Sequence, residues 1–215
     1  MNSENIPTEV LKYQLRKMQI KLAEESRSTF LTFVKKVWPE FIAGSHHKII
    51  AKKFEDISRG KIKRLIVNMP PRHTKSEFAS HLFPAWMLGQ KPKLKIIQTT
   101  HTAELSYNFG RKVRNLFDQQ EFKDVYPTVS LSQDSKAAGR FTTNAGGEYF
   151  AAGVGGAITG RGADLLIIDD PHSEQDALSQ TAMDNAYEWY TSGPRQRLQP
   201  GGAIVIVMTR WSTKD

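Results

Sequence analysis

Four short, near-continuous apolar runs constrain the fold of this chain most strongly. They cover residues 65–68, 94–99, 165–169 and 203–208, and helical patterns over 75–88, 103–117 and 174–190 follow the first three. Strands without polar alternation are usually buried on both faces, which is typical of parallel sheets whose strands are joined through helices. The sequence therefore predicts an α/β fold with a mostly parallel central sheet flanked by helices.

The rest of the chain supplies a hairpin and an N-terminal helical extension. A polar, glycine-rich stretch over 139–162 predicts two short strands at 140–143 and 148–151. Upstream, apolar residues spaced three and four apart predict helices within 10–37 and over 46–57. We expect residues 1–60 to form a helical segment that packs on a core of residues 61–215. We also expect Trp86, Phe122 and Tyr126 to lie in the core.

Charge and cysteine content restrict the partners and the chemistry. Thirty Lys and Arg residues against 22 Asp and Glu give a net charge of +8, which favours polyanionic partners such as nucleic acid. The absence of cysteine excludes disulfides, Cys-ligated zinc and thiol catalysis. No apolar run approaches membrane-spanning length, and the polar start Asn2-Ser3-Glu4 lacks the pattern of a signal peptide. We therefore expect no membrane partner and a reducing cytosolic compartment.

The segment "MPPRHTKS", residues 69–76, joins the first predicted strand to the helix that follows. The usual phosphate loop, G-x-x-x-x-G-K-[ST], would have glycine at Met69 and Thr74, so the simple pattern fails twice. A lysine and a hydroxyl at the start of a helix nevertheless supply what the phosphates and magnesium of a nucleotide need, and Lys75 and Ser76 stand at these positions. On this segment alone, a strand that ends in a Pro-Pro turn remains an equal alternative.

The third predicted strand, "LLIIDDP", ends in two adjacent carboxylates. One of the two, Asp169 or Asp170, can hold magnesium, and the other can orient and deprotonate an attacking water. The alternative is an aspartate that caps a helix before Pro171. Combined with Lys75 and Ser76, the pair favours a magnesium nucleotide site at the carboxyl ends of the strands.

Arginines and a polar strand end could complete such a site. Arg161 lies eight residues before Asp169 in a glycine-flanked segment and could offset charge on the γ-phosphate of its own chain or of a neighbouring copy. Arg72 and Arg140 are candidates for the same role, and a solvated surface role for Arg161 stays equally open. The run "AIVIVMTRW" ends at Thr209, where a polar group beside the γ-phosphate could sense hydrolysis.

Four blocks, in this order along the chain, resemble one family. They are "PPRHTKSE", "IIQTTHTAELSYNFGRKVR", "TGRGADLLIIDDPHS" and "IVIVMTRW". Their combination is similar to the large terminase subunit of tailed bacteriophages, the motor that packages viral DNA into capsids, and the resemblance runs from about Phe30 to the end of the sequence. It implies a RecA-like P-loop ATPase domain of the additional-strand type, which in the family precedes an RNase H-like nuclease domain.

The resemblance also implies roles for individual residues. The variant Walker A loop would contain the nucleotide-binding residues Pro71, Arg72, His73, Thr74, Lys75 and Ser76, with Lys75 on the phosphates and Ser76 on magnesium. Asp169 would be the Walker B metal ligand and Asp170 the catalytic carboxylate, and Thr209 and Arg210 would belong to the coupling motif. Adenine would contact residues before the loop, within 38–47, where His47 is the candidate. Because the catalytic carboxylate is commonly Glu in such ATPases, Glu174, one predicted helical turn later, is an alternative.

The function implied by the resemblance is ATP hydrolysis, with ATP and Mg²⁺ as cofactors, that drives double-stranded DNA into a capsid. The implied partners are DNA, further copies of the chain in a ring, the capsid portal protein and the small terminase subunit, in the cytoplasm of an infected bacterial host. Since the sequence ends just after the coupling motif, we expect no nuclease domain and no nuclease activity in it. Two alternatives stay open: a nucleic-acid-binding or scaffold module with a decayed nucleotide site, and a helicase-type remodeller.

Overall fold

The computed structural model describes residues 8–158 and 160–213. The prediction for Asn2-Ser3-Glu4, and the outermost parts of the predicted segments 1–60 and 61–215, therefore lie outside the described residues. Within the described part of the chain, no helix is both long enough and apolar enough to cross a membrane.

The strands of the described residues form one seven-stranded sheet. They are β1 (Arg64–Asn68), β2 (Lys95–Thr100), β3 (Leu131–Ala137), β4 (Arg140–Thr143), β5 (Glu148–Gly153), β6 (Ala163–Asp169) and β7 (Leu198–Met208). Their spatial order is β1-β7-β6-β2-β5-β4-β3. The first five strands of this order are parallel, and β4 and β3 are added antiparallel. The predicted, mostly parallel α/β sheet is confirmed, and the last strand, β7, lies between β1 and β6.

Helices flank this sheet and precede it. They are α1 (Thr8–Ser28), α2 (Phe30–Val37), α3 (Ser45–Ser58), α4 (Phe83–Gln90), α5 (Ala103–Leu116), α6 (Gln120–Val125) and α7 (Gln180–Ser192). A π-helical segment, Glu77–Leu82, precedes α4, and short 3₁₀ turns occupy Asp176–Leu178 and Pro194–Arg197. The predicted N-terminal helical extension is thus present as α1, α2 and α3. The division of the chain at residues 60 and 61 stays a prediction.

Alternate residues of the central strands bury their side chains on opposite faces of the sheet. Ile96, Leu165 and Val205 belong to the larger core, which the helices between residues 30 and 126 cover. Ile97, Leu166 and Ile204 belong to a smaller core on the other face, where Tyr190 of α7 packs. Burial on both faces explains why these strands carry uninterrupted apolar runs.

An aromatic cluster joins the N-terminal helices to the sheet-covering helices. Phe30 of α2 is fully buried and makes edge-to-face contacts with Phe54, Phe78, Phe83 and Trp86, at ring-centroid distances of 5.3–5.9 Å. Such pairs add stability beyond the area that they bury. Trp86, Phe122 and Tyr126 are buried, as predicted.

In contrast, most of α1 contributes nothing to this core. Its apolar residues Leu11, Leu15, Met18 and Leu22 are 40–67% exposed, and its buried residues are Ala23 and Ser26. The core therefore begins near the end of α1.

The structure differs from the predicted elements in three places. The helix after β6 begins at Gln180 and not at 174, because Ser173 and Asp176 bond to each other and the Ser179 hydroxyl accepts the N–H of Ala182 as the N-cap. Strand β3 and helix α6 were not predicted. The sequence of β3, "LSQDSKA", contains no apolar run, and this strand lies at one edge of the sheet.

Replacing Phe30 by alanine should destabilise the protein strongly, because the substitution leaves a cavity among four aromatic rings. We expect Phe30→Ala to lower the free energy of unfolding by about 3–5 kcal/mol, measured by urea denaturation. Ile49→Ala on α3, where the isoleucine is 63% exposed, is the matched control and should change it by less than about 0.5 kcal/mol. Equal effects of the two substitutions would contradict the position of Phe30 in the core.

Candidate nucleotide site

The three predicted motifs meet at one edge of the sheet. Asn68 at the end of β1 pairs with Met208 of β7, and Val207 pairs with Asp169 at the end of β6. The loop over 69–76, the Asp169-Asp170 pair and Thr209 therefore follow three neighbouring strands. Because β7 lies between β1 and β6, Thr209 stands between the loop and the carboxylates.

Backbone strain is concentrated at this edge. In the described part of the chain, the non-glycine residues with left-handed backbone angles are Arg72 (φ 63°), Thr74 (φ 64°) and Asp170 (φ 42°). This conformation costs about 1–2 kcal/mol for each non-glycine residue, and such strain is typical of functional sites. Thr74 stands where the usual phosphate loop has glycine, and its backbone has adopted the conformation that glycine normally supplies.

Lys75 is the central cation of the site. Its side chain is only 7% exposed, and its Nζ donates to Thr209 Oγ1 at 2.9 Å and lies 3.1 Å from Asp170 Oδ2. The Thr209 N–H donates to the other Asp170 oxygen at 2.7 Å, and the Thr209 hydroxyl donates to the carbonyl of Met69 at 3.3 Å. A buried ammonium needs such partners. These contacts link the loop, the carboxylate pair and the end of β7 directly.

Asp169 is held by two hydroxyl groups. Its carboxylate is 1% exposed and accepts hydrogen bonds from Ser76 Oγ at 2.9 Å and Ser80 Oγ at 2.7 Å. Burial raises the pKa of Asp169 to about 6, and the charge of Asp170 adds to this, although the two hydroxyl bonds and Lys75 act in the opposite direction. The sequence analysis did not identify Ser80. Its position four residues after Ser76 was the available signal, since residues four apart share a helix face.

His47 connects α3 to the loop. Its Nδ1 accepts the N–H of Gly44 at 2.9 Å, so in the neutral ring Nε2 carries the proton and donates to Thr74 Oγ1 at 2.8 Å. Burial lowers the pKa of His47, and the neighbouring His46 and His73 lower it further. The imidazole is therefore neutral at physiological pH and supports the strained Thr74.

The other loop residues lie at the surface. Pro71, Arg72 and His73 are exposed, and His73 Nδ1 donates to the carbonyl of Pro71 at 2.9 Å. Their side chains are accessible to a ligand on the loop.

The structure does not bring Arg161 to the nucleotide site of its own chain, and a role toward a neighbouring copy stays a prediction. Its guanidinium bonds Glu148 and lies 4.0 Å from the centroid of the Phe150 ring. Glu148 of β5 pairs with Lys95 of β2, whereas Asp169 of β6 pairs with Thr100 of β2. Lys95 and Thr100 are five residues apart on β2. At about 3.3 Å per residue, this places Glu148 about 16 Å from the candidate site along the strands.

Two further predicted residues, Arg140 and Glu174, also lie apart from the Lys75 cluster. Arg140 bonds Glu148 at 3.1 Å. Glu174 is exposed and lies before α7, so the helical turn that was expected to place it beside Asp170 does not exist. Arg210 extends toward the carbonyls of Ser212 and Thr213.

The residues present fit a magnesium nucleotide. The first N–H groups of the helix after the loop have no partner within that helix, and Lys75 supplies a positive charge beside them. Ser76 and Asp169 already lie in contact and provide the hard oxygen ligands that Mg²⁺ prefers. Within residues 8–158 and 160–213, no group of three or more His, Asp or Glu side chains could hold a metal. Mg²⁺ with a nucleotide does not require one, because phosphates and water complete its shell.

Comparison with known proteins supports the fold. No family model matches the sequence, and no curated protein matches it. The structure is similar to the crystal structure of the HK97 bacteriophage large terminase, with a TM-score of 0.57 and 14% sequence identity. The match covers 86% of this chain but only 38% of that protein. The chain therefore has a terminase-like, RecA-like α/β fold.

The buried carboxyl group of Asp169 should give the nucleotide-free protein a distinctive pH dependence. The pKa rises from 3.8 to about 6 on folding, so between these values the folded protein holds a proton that the unfolded chain releases. Asp169 therefore stabilises the folded protein fully at pH values below this range. As the pH rises through the range this stabilisation is lost, which lowers the free energy of unfolding by about 3 kcal/mol.

Urea denaturation at several pH values tests this expectation, with Asp169→Asn as the control, because asparagine does not titrate. As the pH rises from 3.8 to about 6, the free energy of unfolding of the wild type should fall relative to that of Asp169→Asn. Parallel pH profiles would contradict the raised pKa.

Proposed function

We propose that this chain binds and hydrolyses Mg-ATP at the edge formed by β1, β7 and β6. The observation that carries the proposal is the contact of Lys75 with Asp170 and Thr209, beside the Ser76 and Asp169 pair. A lysine, a hydroxyl and two carboxylates are the groups that phosphoryl transfer to water requires. A Pro-Pro turn with no ligand would not require strained backbone at three positions around them.

Each residue has a distinct role in this proposal. Lys75 and the N–H groups of the loop would hold the phosphates, and Ser76 and Asp169 would hold Mg²⁺. When bound, Mg²⁺ neutralises charge on the phosphate oxygens. Asp170 would orient the attacking water and accept its proton, after its contact with Lys75 is exchanged for one with water. Pro71, Arg72, His73, Thr74 and His47 would form the remaining wall of the site.

The positions of the candidate residues support two further assignments within this proposal. We assign the catalytic carboxylate to Asp170, which contacts Lys75, and not to the exposed Glu174. We assign the arginine that faces the phosphates to Arg72, which lies on the loop, and not to Arg161, which Glu148 already holds.

The biological role that fits this site is DNA packaging. The similarity of fold to a phage large terminase and the four sequence blocks support a motor that moves double-stranded DNA into a capsid in an infected bacterial cell. In such a motor the chain would act as a ring of copies, with a portal protein and a small terminase subunit as partners. Thr209 and Arg210 would couple hydrolysis to movement. The hydrogen bond from Lys75 to Thr209 supports this role, because it places Thr209 in contact with the lysine that would bind the phosphates.

A nucleic-acid-binding scaffold is the second candidate. It is favoured by the complete pairing of Lys75, whose ammonium contacts Asp170 and Thr209 as a purely structural ion pair would. Mg-dependent nucleotide binding separates the two candidates.

Removal of the Lys75 side chain should weaken nucleotide binding strongly. In calorimetric titrations with Mg-ATP, we expect wild-type protein to bind only when Mg²⁺ is present, and Lys75→Ala to bind at least about 100-fold more weakly, since a charge-assisted phosphate contact is lost. Lys123→Ala, at an exposed lysine of α6, is the control and should bind as wild type does. Folded wild-type protein that fails to bind Mg-ATP would leave the scaffold as the better proposal.

The rate of ATP hydrolysis distinguishes Asp170 from Glu174 as the catalytic carboxylate. We expect Asp170→Asn to retain Mg-ATP binding but to lower the rate of phosphate release by about 10²–10⁴-fold, because the general base is lost. Glu174→Gln should retain the wild-type rate. If the isolated chain has no measurable wild-type rate, the comparison is made with DNA added. The reverse pattern of the two variants would assign catalysis to Glu174.

A further inference from the structure

The sheet edge opposite the candidate nucleotide site is strongly basic. Exposed lysines and arginines lie where the parallel strands β1 and β2 begin, and this surface, the basic edge, consists of Lys61, Lys63, Arg64, Lys91, Lys93 and Lys95. Strand pairing brings these segments together, because β1 and β2 are separated only by β7 and β6. The edge is thus one surface built from segments far apart in the sequence.

Contacts between loops fix the shape of this edge. Lys91 Nζ donates to the carbonyl of Ser58 at 2.6 Å, which attaches the turn before β2 to the end of α3. Arg64 donates to the carbonyl of Gly202 on β7 at 3.1 Å. These hydrogen bonds hold the segments that carry the cations in fixed positions relative to each other.

Few carboxylates offset this charge. Asp56 lies 4.0 Å from Lys61, Glu148 bonds Arg140 and Arg161, and Asp164 accepts the N–H of Lys95 at 2.8 Å. No ion pair of the described residues involves the ammonium groups of Lys63, Lys93 or Lys95. Like charges on one surface repel each other, and an anionic partner relieves this repulsion.

The chemistry of the edge favours a nucleic acid over a protein partner. Large, strongly exposed apolar side chains occur elsewhere in the described chain, but none lies within 59–64, 91–95 or 140–148. Stable protein interfaces have an apolar centre, whereas phosphate backbones are bound mainly by Lys and Arg. Lys63 and Lys95 lie three strands apart, about 14 Å, which is comparable to the major-groove width of about 12 Å between two DNA backbones.

We propose that the basic edge binds the phosphate backbones of double-stranded DNA, independently of sequence, while the nucleotide occupies the opposite edge. This inference deepens the proposed function and rests on its DNA-handling part. Because β6 spans seven residues, the two edges are about 20 Å apart, so DNA and nucleotide do not compete for the same residues.

The test is fluorescence anisotropy with a labelled duplex of about 30 base pairs, without nucleotide, between about 50 and 200 mM salt. We compare wild type with the triple variant Lys63→Gln, Lys93→Gln, Lys95→Gln. Loss of three phosphate contacts should weaken binding at least about tenfold and reduce the slope of log K against log salt by about 2.7. The matched control, Lys12→Gln, Lys17→Gln, Lys21→Gln on the exposed part of α1, should retain the wild-type affinity and slope.

Wild-type binding by the basic-edge variant, or an equal loss in the α1 control, would overturn this assignment. Tighter binding of a poly-glutamate peptide than of the duplex would overturn the choice of nucleic acid. Calorimetry separates this inference from the nucleotide site: Mg-ATP binding without duplex binding overturns only the DNA surface. Duplex binding that the triple variant loses, in a protein that does not bind Mg-ATP, supports the basic edge and overturns the nucleotide proposal.

Discussion

The buried contact between Lys75 and Asp170 is the interaction on which the candidate site depends. An ammonium that is 7% exposed would cost several kcal/mol without a partner, and its partner comes from a strand nearly one hundred residues later in the sequence. The contact therefore requires β1, β7 and β6 to be adjacent and in register. It also explains why Thr209, at the end of the strand between the other two, bonds both charged groups.

The strained loop depends in turn on the N-terminal helices. Thr74 keeps its left-handed backbone while its hydroxyl is held by His47 of α3, and α3 is fixed by Phe54 in the aromatic cluster around Phe30. Local strain persists only when the surrounding structure over-determines it. A loop with glycine at this position would need less support, so the unusual sequence of the loop and the packing of α2 and α3 are linked.

The parts of the fold that could be predicted are those with a local chemical signature. Strands buried on both faces carry apolar runs, and Lys75, Ser76 and the two aspartates are recognisable by residue type next to those strands. Strand β3 was missed because its polar sequence contains no apolar run, and the late start of α7 depends on hydroxyl bonds at Ser173 and Ser179. The partner of Arg161 could not be foreseen, since its contact with Glu148 follows from sheet register and not from the neighbouring sequence.

Strand β7 connects the two chemically different edges of the sheet. One end places Thr209 against Lys75, and the other contacts Arg64 through the carbonyl of Gly202. Between them β7 pairs with β1 and β6 on its two sides. A central strand cannot slide by itself, because a shift of one residue would turn its buried side chains to the wrong face. In the proposed coupling role, a change at Thr209 would therefore reach the rest of the molecule through the surrounding loops and helices, and not by sliding of β7 alone.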